Sequence, residues 1–250
     1  MLFLKRILNK IQKIKKKLKR VFTKKIYYNN SSFKLRANNW ITKYRFDTFE
    51  NKEPETLKWI DINLRENDVF FDIGANIGVY SLYAASKKIN NSKIYSFEPE
   101  YSNLNELKFN VLSNGFTNNI NIFSIAFGDF SHISFLQIND ITPGAALHSL
   151  GSSNDSLSSI SEGVFVMKID EFCNQQNIIP NLIKVDIDGN EDKFLNGASN
   201  LLQNKNLRSI IIELDDKHIR DKCISIIKKN GFDLIDNYTS NQSFIFSKKK

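Results

Sequence analysis

Cysteine is scarce in this chain. There are two among 250 residues, Cys173 and Cys223. They stand far apart and in no ligand spacing, which argues against a disulfide framework or a zinc site and fits a reducing compartment with two ordinary buried thiols. Long apolar runs are also missing. Nothing reaches the length needed to span a bilayer, and the first residues lack the continuous apolar centre and cleavage site of a secretory signal. Acidic residues are absent from positions 1–25, which hold 11 Lys and Arg. The rest of the chain carries the other 24 bases against all 27 acids, a net charge of −3. The overall +8 therefore belongs to one terminal segment, and a nucleic-acid footprint over the body of the protein is not expected.

What that segment does contain is periodic. Leu4, Ile7, Leu8, Ile11, Ile14, Leu18, Val21 and Phe22 recur at three- and four-residue steps, with lysines between them. This pattern predicts a basic amphipathic helix over residues 1–25. Lying on an anionic membrane surface is the favoured reading. Packing on a partner helix is the alternative, and nucleic acid is disfavoured. The expected location is cytoplasmic, peripheral on the membrane face if the helix binds there. Lys248–Lys250 read as a solvated tail.

Hydrophobic residues make up 41% of the chain and charged ones 25%, enough for one large core. Residues 26–50 read as an irregular or β-rich lead-in, and Pro54 opens a helix to about Leu64. Strands are expected at Val69–Ile73, Lys93–Phe97, Ile120–Phe127, Ile133–Leu136, Val164–Ile169, Leu182–Val185 and Ser209–Leu214, with helices between most of them. Residues 139–163 read as a long polar loop. Phe232–Asp236 and Ser243–Phe246 read as a closing hairpin. Such alternation predicts an α/β fold on a mostly parallel sheet. Its ligands belong at the carboxyl ends of the strands.

Two strand ends stand out. In FFDIGANIGVYSL, Asp72 closes a strand, and Gly74, Asn76 and Gly78 shape the turn into a helix. Glycine permits positive φ and close approach of a ligand. A dinucleotide turn begun at Gly74 would need glycine where Asn76 and Val79 stand, so a nicotinamide oxidoreductase is disfavoured. An acid just before the turn suits a cationic ammonium, such as the methionine part of S-adenosylmethionine. In KIYSFEPE, Glu98 closes the next strand, where a carboxylate can accept both ribose hydroxyls of an adenosine.

Four segments in order, FDIGANIGVYSL, SFEPEYSNLNELKFN, AFGDFSHISF and LIKVDIDGNEDKFLNGA, resemble the FkbM-like family of S-adenosylmethionine-dependent methyltransferases. The resemblance runs from about Asp68 to the C-terminus. It implies a class I methyltransferase Rossmann-like, mostly parallel seven-stranded sheet with a C-terminal antiparallel hairpin. It also implies O-methylation of a saccharide or another hydroxyl-bearing metabolite. The chain then divides into the helix 1–25, a lead-in 26–64 and a methyltransferase domain 65–250. Carried over by position, Asp72, Gly74, Ala75, Asn76 and Gly78 line the methionine end of the cofactor. Glu98 and Pro99 lie at the ribose, and Ser124 and Ala126 beside the adenine. Asp129 reads equally as an adenine contact or a turn residue. The family often has Glu where Asp188 stands, proline where Tyr101 stands and glycine where His132 stands.

Methyl transfer to an alcohol gains from a general base. KVDIDGNE offers Asp186, Asp188 and Glu191 around one strand end. Glu191 reads equally as a first-turn acid favoured by the helix dipole. His148, in the loop PGAALHSLGSS, is a further candidate, with a surface histidine as its plainer reading. Glu213 also follows a buried strand at an edge where an acceptor could bind. A divalent ion on the oxygen acids is the lesser reading, and none is expected. A non-catalytic, membrane-associated scaffold with a degenerate methyltransferase fold is the alternative to an enzyme.

Overall fold

The computed structural model describes residues 23–146, 148–151, 160–238 and 242–249. It opens on a hairpin of Thr23–Tyr28 (β1) and Ser31–Arg36 (β2). Asn29 and Asn30 turn it at φ +43° and +61°, a backbone that asparagine tolerates. Thr23–Lys25 are thus strand and not the end of a helix. The rest of the expected amphipathic helix, residues 1–22, lies outside the described residues. The lead-in then becomes helical, through Trp40–Asp47, Phe49–Lys52 and Pro54–Asn63. Asn39 and Thr42 form a capping box on the first of these. Pro54 sits at the start of the third, where its missing N–H costs nothing.

The remaining strands are Val69–Ile73 (β3), Lys93–Phe97 (β4), Ile120–Phe123 (β5), Ala126–Phe127 (β6), His132–Ile138 (β7), Ser149–Leu150 (β8), Ile160–Met167 (β9), Leu182–Val185 (β10), Ser209–Glu213 (β11), Phe232–Tyr238 (β12) and Ser243–Lys248 (β13). Seven of them form one sheet in the order β12-β13-β11-β10-β3-β4-β5. β10, β11, β3, β4 and β5 run parallel, and β13 and β12 return antiparallel. Strand order reverses between β3 and β10, which opens a crevice at their carboxyl ends. A four-stranded sheet, β6-β9-β7-β8, stands beside this one.

Buried strands put alternate residues on opposite faces. Phe71, Ile73, Ile183, Val185, Ile210 and Ile212 meet Phe172, Phe194, Leu201 and Ile227 from the helices Ile169–Gln176, Glu191–Asn196, Ser199–Gln203 and Lys217–Lys229. On the other face Phe70, Ile94, Leu182 and Ile211 meet Leu82, Leu107 and Val111 from Val79–Ser86 and Tyr101–Asn114. That second core also takes in Phe33, Leu35, Leu57 and Trp59 of the lead-in. Trp59 Nε1 donates to Ser209 Oγ at 2.8 Å, fastening the lead-in to β11.

Three expectations need correction. The strand expected at Ile120–Phe127 breaks after Phe123, where the chain leaves the edge of the main sheet, and β6 pairs with β9 instead. The expected loop 139–163 contains β8 and the start of β9, because Ile160–Gly163 pair with β7. Lys248 is no solvated tail: its ammonium donates to the Leu202 and Asn230 carbonyls and lies over the Phe232 ring.

Candidate active site

A cavity of about 230 Å³ opens at the carboxyl ends of β3, β4 and β10, lined by Gly74, Asn76, Glu98, Pro99, Ala126 and Asp186 among others. The turn after β3 is locked by its glycines. Gly74 has φ +76°, and a Cβ there would lie 1.7 Å from the Asp186 carbonyl oxygen. The two strand ends meet backbone to backbone at this point. Gly78, at φ +87°, leaves no room for a side chain beside Leu107. The turn's N–H groups are already used. Those of Gly74 and Ala75 donate to the Phe97 carbonyl, that of Gly78 to the Ala75 carbonyl, and those of Asn76 and Ile77 to the Glu98 and Asn76 side chains. The N–H groups of residues 74–78 are thus taken up within the protein and are not free to cradle a pyrophosphate.

Glu98 is 6% exposed. Oε2 accepts from Asn76 N at 2.8 Å and Oε1 from Glu100 N at 2.9 Å. Each oxygen retains a second acceptor position toward the cavity. Burial pushes its carboxyl up to about 8, against the two backbone donors. Ile125, Phe127 and Leu136 form an apolar wall beyond it. An adenosine fits these acceptors and this wall: acceptors for two hydroxyls beside an apolar slot.

Asp72 lies behind the cavity wall. It is fully buried, and Oδ2 accepts from Ser81 Oγ while Oδ1 has no hydrogen-bond partner among the described residues. Register explains its position. Lys184, Asp72 and Ser96 are Cα partners across β10, β3 and β4, so they form one polar row on one face of the sheet. Burial raises the Asp72 carboxyl, with Lys184 and Ser81 opposing. Ala75 and Gly78 shape the turn without reaching the wall, and Ser124 is exposed outside it. Asp129 is half-buried and also off the wall.

The catalytic candidates gather more closely. A second cavity, about 300 Å³, adjoins the first and shares His148, Asp186, Asp188, Glu213 and Asp215 with it. Asp186 Oδ2 accepts from Lys184 Nζ at 2.9 Å. Burial favours the neutral acid, and Lys184 outweighs it, holding the Asp186 carboxyl below the usual range. Asp188 is exposed at φ +51°. Glu191 is 4% exposed, accepts from Gly189 N at 3.0 Å and lines only the second cavity. Both ring nitrogens of His148 are buried, with no hydrogen-bond partner among the described residues. The side chains most closely gathered are not the expected trio: carboxylate oxygens of Glu53, Asp186 and Glu213 lie within 4.8 Å of one another. Lys52 Nζ donates to Glu53 at 2.8 Å.

Sequence reading missed Arg45, Lys52, Glu53 and Lys184. Arg45 donates to the Gly144 carbonyl at 2.8 Å. Asn39 Nδ2 donates to the Pro143 carbonyl at 3.0 Å, and Asn76 and Asn103 hold the Ala145 carbonyl at 2.7 and 3.0 Å, so with Arg45 four residues fix the loop that closes the first cavity. The signal available was Glu53-Pro54, an acid before a helix start, which points nowhere in particular.

The strand order, the crevice between β3 and β10 and the terminal hairpin define the class I, Rossmann-like methyltransferase fold. Fibrillarin of Aeropyrum pernix, solved with natively bound S-adenosyl-L-methionine, is 11% identical; the likeness covers 90% of this chain and 82% of that one, with a TM-score of 0.51. The methyltransferase FkbM of Methylobacillus flagellatus is 15% identical, with a TM-score of 0.49; the likeness covers 84% of this chain and 55% of that longer one. The likeness to the fibrillarin is one of fold. No curated protein sequence matches the chain. Residues 72–246 match the methyltransferase FkbM domain, and the chain belongs to that family.

Proposed function

We propose that the protein is an S-adenosylmethionine-dependent O-methyltransferase that acts on a hydroxyl of a saccharide or glycan-like metabolite, next to an anionic membrane. The observation that carries the cofactor reading is Glu98, a buried carboxylate with one backbone N–H on each oxygen and an apolar slot beside it. Glu98 would take the ribose hydroxyls, and the Gly74–Asn76 turn would run along the methionine part. Bound there, the cofactor supplies an electrophilic methyl group on a positively charged sulfur. The chain's own task is to hold an oxygen in line with that carbon and to exclude water.

The second cavity supports a hydroxyl-rich acceptor. Its walls include His148, Ser149, Asp186, Asp188, Glu213 and Asp215, which offer many hydrogen-bond acceptors, and no aliphatic side chain stands among its described lining residues. Hydroxyl groups donate well to carboxylates. Calorimetric titration with S-adenosylhomocysteine tests the cofactor site. Micromolar binding, weakened at least about tenfold by Glu98→Gln, is expected, since a charge-assisted pair of hydrogen bonds is lost. A folded wild-type protein that binds nothing would remove the enzyme reading. Screening glycans for transfer of a labelled methyl group tests the acceptor.

A further inference from the structure

Glu53, Asp186 and Glu213 bring carboxylate oxygens within 4.8 Å of one another, the latter two where the two cavities join, and their situations differ. Asp186 is paired with Lys184 at 2.9 Å. Glu53 is paired with Lys52 at 2.8 Å, accepts from the Thr56 hydroxyl at 3.2 Å, and lies on neither cavity wall. The Glu213 carboxylate has no hydrogen bond and no ion pair among the described residues, and it lines both cavities. Its backbone is fixed. Glu213 ends β11, which pairs with β10 on one side and with β13 on the other, Glu213 opposite Ser243.

We propose that Glu213 is the proton acceptor of the reaction, taking the proton of the acceptor's hydroxyl as its oxygen receives the methyl group. The proposal rests on the methyltransferase reading above. An oxygen–carbon bond forms, the carbon–sulfur bond breaks with its electron pair left on sulfur, and the hydroxyl proton ends on Glu213. Asp186 is a weaker base because Lys184 stabilises its charge, and Glu53 is covered by its partners.

A carboxyl in this place must first be emptied. Burial, then the charges of Asp186, Glu53 and Asp215, push Glu213 up to about 8, with Lys184 opposing. At neutral pH it therefore holds a proton in the free protein. A positive sulfur brought into the neighbouring cavity favours the ionised form and drives that proton off. The neutral thioether product does not. Loading with the charged cofactor thus prepares Glu213 for its task, and the proton it later gains is released as the product leaves and a new cofactor arrives.

The test needs no acceptor. The full chain is titrated at pH 7 with S-adenosylmethionine and with S-adenosylhomocysteine, each in phosphate and in Tris, whose ionisation heats differ. The comparison yields protons released per ligand bound. Glu98 meets the ribose of both ligands alike and cancels in the difference. Wild type is expected to release up to about one more proton with S-adenosylmethionine. Glu213→Gln should bind both ligands and lose the difference, and Glu213→Asp, which keeps a carboxylate, should retain it. A difference that persists in Glu213→Gln, or that disappears in His148→Gln instead, would overturn the assignment. So would wild type that binds both ligands with equal proton release. Binding of neither ligand would defeat the underlying methyltransferase reading, a separate result.

Discussion

A methyl group added at Gly74 would meet the Asp186 carbonyl oxygen at 1.7 Å on a backbone at φ +76°, whereas one added at Gly115, at φ +74°, would meet nothing within 4 Å. The pair separates conformational cost from collision. Gly115→Ala should cost about 1 kcal/mol, the left-handed penalty alone. Gly74→Ala should cost about 3 kcal/mol or more, because two strand ends must also move apart. Urea denaturation of the two variants checks this, and equal losses would mean that the turn relaxes freely. Glu98 gives a pH prediction at the same scale. With its carboxyl near 8, the free site holds a proton at neutral pH. Ribose hydroxyls donate best to the carboxylate, so ligand binding must expel that proton. Affinity for S-adenosylhomocysteine should rise with pH up to about 8 and then level. It should fall by up to about tenfold for each unit below. Titrations at three pH values test the sign, and a flat profile would remove Glu98 from the ribose.

The polar row across β10, β3 and β4 sets the electrostatics of the site. Lys184 is 3% exposed, stands opposite Asp72, pairs with Asp186 and lies 5.0 Å from the Tyr80 ring centroid. Lys184→Met would leave Asp72 and Asp186 without their shared cation, a loss of about 3–5 kcal/mol at neutral pH. Lys184 holds the Asp186 carboxyl low, so the stability it contributes is present above the unfolded carboxyl's range and lost as pH falls through the folded value. The gap between wild type and Lys184→Met should therefore narrow below about pH 4 in denaturation curves. This row was not legible in the sequence. The strands were: VFFDI, KIYSF and LIKV are short apolar runs bounded by turn residues, and β3, β4 and β10 occupy those spans. Gly74 and Glu98 could be placed because a ligand at a strand end depends on local spacing. Lys184 beside Asp72 depends on which strands are neighbours and in what register. Glu53 depends on how a helical lead-in folds back over β11. Ser124 and Asp129 fall off the wall because the chain leaves the sheet after Phe123, a change that no local pattern announces.

At the scale of the whole molecule, charge is divided unevenly. The first 25 residues carry +11 and the rest carry −3. No helix among the described residues is long and apolar enough to cross a membrane. An anionic surface would therefore attract the basic segment and repel the body weakly, which makes the segment's contribution separable. The full chain should co-sediment with vesicles containing phosphatidylserine, and the binding should weaken steeply with salt as the charges are screened. A chain lacking residues 1–22 should stay in solution at every salt concentration. Its affinity for S-adenosylhomocysteine should match that of the full chain, since β1 begins at Thr23 and the described cavity walls begin at Arg45. Binding of both chains to vesicles would move the membrane contact onto the folded body. Binding of neither would assign the apolar stripe to a protein partner. The proposed acceptor is tied to this outcome: a lipid-linked acceptor would reach the second cavity from a membrane surface, and a chain that never visits that surface would point to a free acceptor instead.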